Sequence, residues 1–167
     1  MRQTVGAMPD IESATKCGLA AEVLRSFGTL RFAATGWSML PTIWPGETLV
    51  VQRISRDEVQ VGHIVLVGRE GRLWAHRVIG TAGNEGNPQW ITQGDALPVP
   101  DRPVADHELL GKVTHVIRAG DRAPLHGSFS GAGKLVARIV RRSSIAARAL
   151  VYLNHKREQE SIFPCQG

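Results

Sequence analysis

The spacing of apolar side chains changes character along this chain. Leu19, Val23 and Phe27 recur at i, i+4 and i+8, with Asp10 placed to cap the first turn, Ile11 and Glu12 inside it, and Gly28 ready to end it. That spacing predicts a helix ending near Phe27 with those three side chains on its apolar face. From Leu30 the pattern switches to short apolar runs divided by turn residues, the mark of strands. Strands are predicted over residues 49–52, 63–67, 73–79, 90–92 and 112–117. Pro45-Gly46, Gly62 and the stretches 68–71, 80–88 and 98–103 read as breaks between them. The fold class expected is therefore mainly β, a compact and mostly antiparallel domain. Past Gly120 the strand signal disappears, 128–133 has the small, glycine-rich composition of a joint, and 134 to about 159 has helical spacing. The division expected is an N-terminal helical segment over 1–28, a β core over 29–121 and a helical C-terminal extension over 122–167.

Within that extension, Leu135, Val136, Ile139, Val140, Ala146, Ala147, Leu150, Val151 and Leu153 fall on one side of a helical projection. Lys134, Arg138, Arg141, Arg142 and Arg148 fall on the other, with Ile145 and Tyr152 as exceptions. The charge balance sharpens this. The chain has 20 basic and 15 acidic residues, but the whole surplus of +5 lies in 128–160, and the remainder is neutral. The pI of 9.9 thus implies no general affinity for nucleic acid, and none is expected. Residues 134–153 can instead pack on the β core, lie on an anionic membrane surface or dock an acidic partner.

At 167 residues the chain is sized for one domain with an appendage. Its longest uncharged stretch, Phe32 to Gly46, is too short to span a bilayer and is interrupted by Gly36, Pro41 and Pro45. Behind Arg2, Gly6 and Pro9 interrupt any secretory core, so export by the usual signal is not expected. Cys17 and Cys165 stand far apart without metal-type spacing and read as two free thiols. A cytoplasmic, reducing location follows, with attachment to the membrane at most peripheral.

Three segments hold polar residues that β packing does not require. Ser38 lies in Gly36-Trp37-Ser38-Met39-Leu40-Pro41-Thr42, which Gly36 and Pro41 keep from being helical. His76 and Arg77 sit near the centre of Leu73-Trp74-Ala75-His76-Arg77-Val78-Ile79. Asp95 lies in Thr92-Gln93-Gly94-Asp95-Ala96, and Asp101 follows Pro98 and Pro100. Serine, histidine and aspartate are the types that a nucleophile, its base and the base's orienting group require. Singly, each also has an ordinary reading as a turn hydrogen bond, a satisfied strand histidine or a turn cap.

The ordered set Ser38-Met39 with Pro41-Thr42, Pro45-Gly46-Glu47, Gly62-His63-Ile64-Val65, His76-Arg77-Val78, Gln93-Gly94-Asp95 with Asp101, and Gly111-Lys112-Val113 resembles the type I signal peptidase family. That family belongs to a wider group that includes the LexA-like repressors. The resemblance covers about 35–117 and implies a β serine peptidase core in which Ser38, of the Ser38-Met39 pair, is the nucleophile. Where one branch carries a lysine base this chain has His76, so it is similar to the Ser-His branch. The acidic partner of that branch maps to Asp95 or Asp101, with Asp101 favoured as the orienting carboxylate and Asp95, Met39 and Arg77 as supporting residues. The implied substrate is a protein or peptide bound as an extended strand, with small side chains before the cut. His63 and Glu47 depart from the family's usual acidic residues, and no membrane-spanning helix is read.

Neutral imidazole, with an unperturbed pKa of about 6.5, can take a serine proton near neutral pH, whereas a lysine must first be desolvated. None of Lys16, Lys112, Lys134 and Lys156 is placed to serve. Backbone N–H groups around Ser38 are the natural oxyanion donors. No cofactor or metal is expected. The run from Gly127 to Lys134 fails as a phosphate loop because Leu135 stands where Ser or Thr would bind magnesium. His63, His76, His107, His115, His126 and His155 show no metal-ligand spacing. The function expected is a serine endopeptidase that removes a leader, signal or propeptide. Its alternatives are a catalytically silent peptide-binding β module and a self-processing LexA-like regulator, the latter disfavoured because too few residues precede position 29 for a DNA-binding domain of usual size.

Overall fold

The computed structural model describes residues 11–125 apart from 85, 86 and 119. The capping role of Asp10, Cys165, the joint at 128–133 and the helical reading of 134–159 lie outside the described residues. Helix α1 (Ile11–Phe27) leads into a single sheet of β1 (Thr29–Ala33), β2 (Thr48–Gln52), β3 (Ile64–Arg69), β4 (Arg72–Asn84), β5 (Asn87–Gln93), β6 (Val104–Ala105), β7 (Leu109–Arg118) and β8 (Asp121–Pro124). The sheet order is β1-β2-β7-β3-β4-β5-β6, with β8 beside β7, and each pairing is antiparallel. The five sequence-predicted strands all fall on this sheet, the second of them from Ile64 rather than His63, which makes the domain mainly antiparallel β.

Strand β3 shows how the sheet feeds two cores. Successive side chains of a strand point to opposite faces, and here Ile64 and Leu66 join Leu24, Met39, Ile43, Leu49, Val51, Val113 and Val116 on one face. Val65 and Val67 join Val59, Val78, Trp90 and Val104 on the other. Buried aliphatic side chains of this size stabilise a fold by about 1.5–3 kcal/mol each relative to exposure. The first core carries Met39 and Ile43 of the β1–β2 connection, so the segment that holds Ser38 is anchored by hydrophobic burial.

The helix is where expected, but its buried face is not. Ala20 and Leu24 are buried, while Leu19 is 62% and Phe27 79% exposed. Close approach decides this: a Cβ on Gly68 of β3 would lie 2.6 Å from Cys17 Sγ and 3.0 Å from Leu110 Cδ1, so the sheet accepts the helix through a glycine. The small side chains Cys17 and Ala20 can pack there, and the bulkier Leu19 and Phe27 are turned outward. Gly28, at φ 70°, reverses the chain after Phe27 and lets its N–H bond Leu24 O at 3.0 Å.

Three further strands escape the apolar pattern. In β1 only Leu30 and Phe32 alternate with polar or exposed positions. The two-residue β6 is too short to show a period. Strand β8, with Asp121 and Arg122, overturns the expectation that strand structure stops at Gly120, because backbone pairing from Arg118↔Asp121 to His115↔Pro124 needs no apolar side chains. The predicted break at 80–88 is likewise mostly strand. β4 passes a bulge between Val78 and Gly80 and continues to Asn84, pairing back onto β5 as far as Asn84↔Asn87.

Candidate active site

The β1–β2 connection leaves the sheet at Ala34, whose N–H donates to Glu47 O at 2.9 Å and whose carbonyl accepts from Gly46 N at 2.7 Å. Inside this closed loop the N–H groups of Thr42 and Ile43 donate to Met39 O at 2.8 and 3.0 Å. Met39, Leu40 and Ile43 are buried, Trp37 is exposed, and Ser38 stands half-buried at the boundary. Burial of the residues after it fixes the backbone of Ser38 while leaving its hydroxyl at the surface of the core. Ala96 N, donating to Ser38 O at 2.8 Å, ties the loop to the segment following β5.

His76 is held in the interior of β4 opposite Val65 and is buried. Its Nε2 lies 3.0 Å from Ser38 Oγ, and its Nδ1 lies 2.6 Å from Asp101 Oδ2. An ionised Asp101 accepts the Nδ1–H, which leaves Nε2 as the acceptor for the serine O–H. Asp101 is itself positioned twice by Thr92: its N–H donates to Thr92 O at 2.8 Å, and Thr92 Oγ1 donates to its Oδ2 at 2.6 Å. Burial pushes the Asp101 pKa upward, but the hydrogen bonds from His76 and Thr92 and the electrostatic attraction of the imidazole outweigh it and hold the carboxyl below its ordinary range.

Asp95 faces the next residue of β4. Arg77 Nε donates to Asp95 Oδ1 and Nη2 to Oδ2, both at 2.8 Å, and Thr42 Oγ1 donates to Oδ2 at 2.6 Å. Arg77 Nη1 also donates to Gly62 O at 2.9 Å. This buried fork joins β4, the Ser38 loop and the Gly94-Asp95 turn. Gly94, just before Asp95, packs directly on Ser38 and His76: a Cβ there would lie 2.7 Å from Ser38 O and 3.0 Å from His76 Nε2. A cavity of about 160 Å³ opens beside Ser38, lined among others by Ala34, Met39, Ile43, Leu49 and Ala75. No cluster of three or more potential metal ligands occurs among the described residues.

Residues 11–114 match the model of the family described as signal peptidase, peptidase S26. The chain belongs to this family. The match runs from α1 through most of β7 and contains Ser38, His76, Asp95 and Asp101. Peptidase chemistry of the signal-peptidase kind is therefore the class to which this S26 chain is assigned. No curated protein matches it. Among the described residues no helix is long and apolar enough to cross a membrane.

Of the residues singled out from sequence, the structure brings Ser38, His76 and Asp101 into one hydrogen-bonded row, and Arg77 and Asp95 into an adjoining pair. Met39 is a core anchor beneath the serine. The two departures from the family pattern are accommodated locally. Glu47 accepts from Arg118 Nε and, at 2.8 Å, from Trp44 N. His63 Nδ1 accepts from Gln60 N at 3.2 Å, and burial together with the neighbouring Lys112 charge lowers the pKa of its ring. Sequence reading missed Thr92, Thr42 and Gly94. Thr92 and Gly94 were legible only as parts of the Gly-Asp segment, and nothing in the local pattern distinguishes their contacts from those of ordinary turn residues.

Proposed function

We propose that this S26 peptidase is a serine endopeptidase that removes a leader, signal or propeptide, with Ser38 as nucleophile, His76 as base and then acid, and Asp101 as the group that orients His76. The observation that carries the reading is the unbroken row from Ser38 Oγ to His76 Nε2 at 3.0 Å and from His76 Nδ1 to Asp101 Oδ2 at 2.6 Å. Ser38 Oγ attacks the scissile carbonyl as its proton passes to Nε2. The imidazolium, stabilised by the ionised Asp101, then protonates the departing amine and leaves an acyl-serine. A water gives its proton to His76 as it attacks this ester, and the proton returns to Ser38 as the acid product leaves. The oxyanion is received by backbone N–H groups at Ser38 and its neighbours. The small cavity beside Ser38 suits the small side chains before the cut that the resemblance implies.

The test needs no natural substrate. An organophosphonate electrophile should add covalently to the parent at Ser38, read as a mass increase mapped to that residue, and fail to add to Ser38→Ala or His76→Ala. Absence of labelling in the parent would favour a silent peptide-binding module. Cleavage of the purified chain by itself, abolished by Ser38→Ala, would favour a self-processing regulator. The basic surplus in 128–160 supports attachment to an anionic membrane surface or an acidic partner in this reading. Vesicle binding that weakens with salt and is lost when Arg138, Arg141 and Arg142 become glutamine is the expected result.

A further inference from the structure

A cavity of about 340 Å³ is lined by the turn before β3, by β4 and by β7, and it shares no lining residue with the cavity beside Ser38. That volume is enough for a small molecule. Ile64, Val113 and Leu125 give it an apolar wall, and His63, Arg77 and Lys112 a polar one. Arg77 is already engaged: Asp95 matches its charge, and its Nη1 donates to Gly62 O at 2.9 Å. The contact between His63 and Lys112 is of another kind. Lys112 Nζ lies 3.0 Å from His63 Nε2. Burial and the Lys112 charge lower the pKa of the ring, which keeps it neutral near neutral pH. Because Gln60 N–H donates to Nδ1 at 3.2 Å, the neutral ring carries its proton on Nε2. An ammonium group is a donor only, so two donors face each other across the 3.0 Å contact. Neither side chain has a carboxylate or carbonyl hydrogen-bond partner among the described residues. Glu58, whose field reaches Lys112, has its Oε2 held by Ser55 N at 3.0 Å and Ser55 Oγ at 2.6 Å. His63 also stands where the family's usual residue is acidic, so this chain lacks the carboxylate that such a residue would set against Lys112.

We propose that this cavity is a binding site for a carboxylate on a short aliphatic body, the carboxylate accepting from Lys112 Nζ and His63 Nε2 and the body lying against Ile64, Val113 and Leu125. A carboxylate has acceptor positions on two oxygens, so it takes both donors at once and brings Lys112 an opposite charge. One ammonium group matches a monoanion, whereas it would leave a phosphate dianion half compensated. The inference does not rest on the peptidase reading, because none of these contacts involves Ser38, His76 or Asp101.

The probes are isobutyrate and acetyl-alanyl-alanine, the second presenting a peptide's C-terminal carboxylate, with isobutyramide and inorganic phosphate as controls. Each is titrated into the full, isotopically labelled chain at low ionic strength, and the His63 ring-nitrogen signals and the melting temperature are followed. Isobutyrate should move the Nε2 signal saturably and raise the melting temperature, isobutyramide should do neither, and phosphate should bind more weakly than isobutyrate. Lys112→Gln should weaken isobutyrate binding about ten- to hundredfold, the effect of losing a hydrogen bond between charged groups. His63→Gln retains an N–H donor and should keep most of the affinity. His63→Glu supplies Lys112 with a carboxylate from within the chain and should abolish binding without lowering the melting temperature. Should a variant fail to fold, the comparison of isobutyrate with isobutyramide on the parent decides the matter. A response to acetyl-alanyl-alanine upholds the site with a peptide terminus as the source, and a response to isobutyrate alone upholds it with a free acid. No saturable shift at His63, an equal response to isobutyramide, or binding that survives both Lys112→Gln and His63→Glu overturns the proposal. Phosphate binding tighter than isobutyrate overturns the assignment to carboxylates.

Discussion

Adjacent residues of one strand, His76 and Arg77, each meet an aspartate from the segment after β5, and the two pairs are built differently. Arg77 and Asp95 are both buried, and the pair is a bidentate fork to which Thr42 adds a third donor. Such a pair holds elements together because its charges are satisfied and its geometry is fixed. His76 and Asp101 share one contact at 2.6 Å, and the carboxylate side chain keeps 20% of its exposure. The other ring nitrogen remains directed at Ser38 Oγ. Saturated bonding suits a clamp, whereas proton transfer needs a base with one nitrogen held and the other available. Gly94 stands between the two systems, touching Ser38 and His76 while its neighbour Asp95 belongs to the clamp.

The comparison breaks most visibly at the row of Ser38, His76 and Asp101, under the proposed catalytic reading. Ser38→Ala or His76→Ala should reduce kcat by about 10⁶-fold, the double variant should be hardly worse than either, and thermal unfolding should be nearly unchanged. Additive losses in kcat would show that the two residues do not act as a unit. Asp101→Asn should cost less, about 10⁴-fold in kcat, because the serine and imidazole remain but the tautomer is no longer enforced. A loss equal to that of Ser38→Ala would give Asp101 a larger role than orientation.

The clamp should respond in stability. Arg77→Ala removes the bidentate charged partner of the buried Asp95, which should lower unfolding free energy by about 3–5 kcal/mol in a denaturant titration, and replacing both residues with apolar ones should cost less than either single change. A shift within about 0.5 kcal/mol would mean that Asp95 finds water, and the clamp reading would fail. Gly94→Ala tests the join between the systems. Its methyl group meets Ser38 O and His76 Nε2, so kcat/KM should fall about a hundredfold, the scale of a misplacement near 1 Å, with only a modest change in melting temperature. An unchanged rate would show that the turn yields without moving the row.

The smallest effect expected is on the acid side of the stability profile. Because the folded state holds the Asp101 carboxyl below its ordinary pKa, its contribution is fully present above the unfolded value of about 3.9 and is lost as pH falls through the lower folded value. Urea midpoints of Asp101→Asn should therefore decline less steeply than those of the parent below about pH 4. Parallel profiles would mean that Asp101 is not linked to folding in this way.

Local chemistry made part of this molecule legible in advance. Alternating and clustered apolar residues located the five principal strands, because side-chain burial on a pleated surface imposes its own period. Gly28 marked the helix end because a residue at φ 70° is easiest for glycine. The order of Ser38-Met39, His76-Arg77 and Gly94-Asp95 with Asp101 was enough to point to the S26 family and to raise Asp101 above Asp95. What stayed hidden was decided by contacts between distant segments. The helix face turned on Gly68, forty residues beyond Gly28, and no local period encodes it. Strand β8 formed by backbone hydrogen bonds that any side chains can accompany. Thr92 acquired its role only when the fold brought Asp101 back over β5, and Thr42 only when Asp95 met Arg77 across the Ser38 loop. Residue types and spacing determined what chemistry was available, whereas hydrogen-bond partners, which depend on three-dimensional distance, assigned one aspartate to the histidine and the other to the clamp.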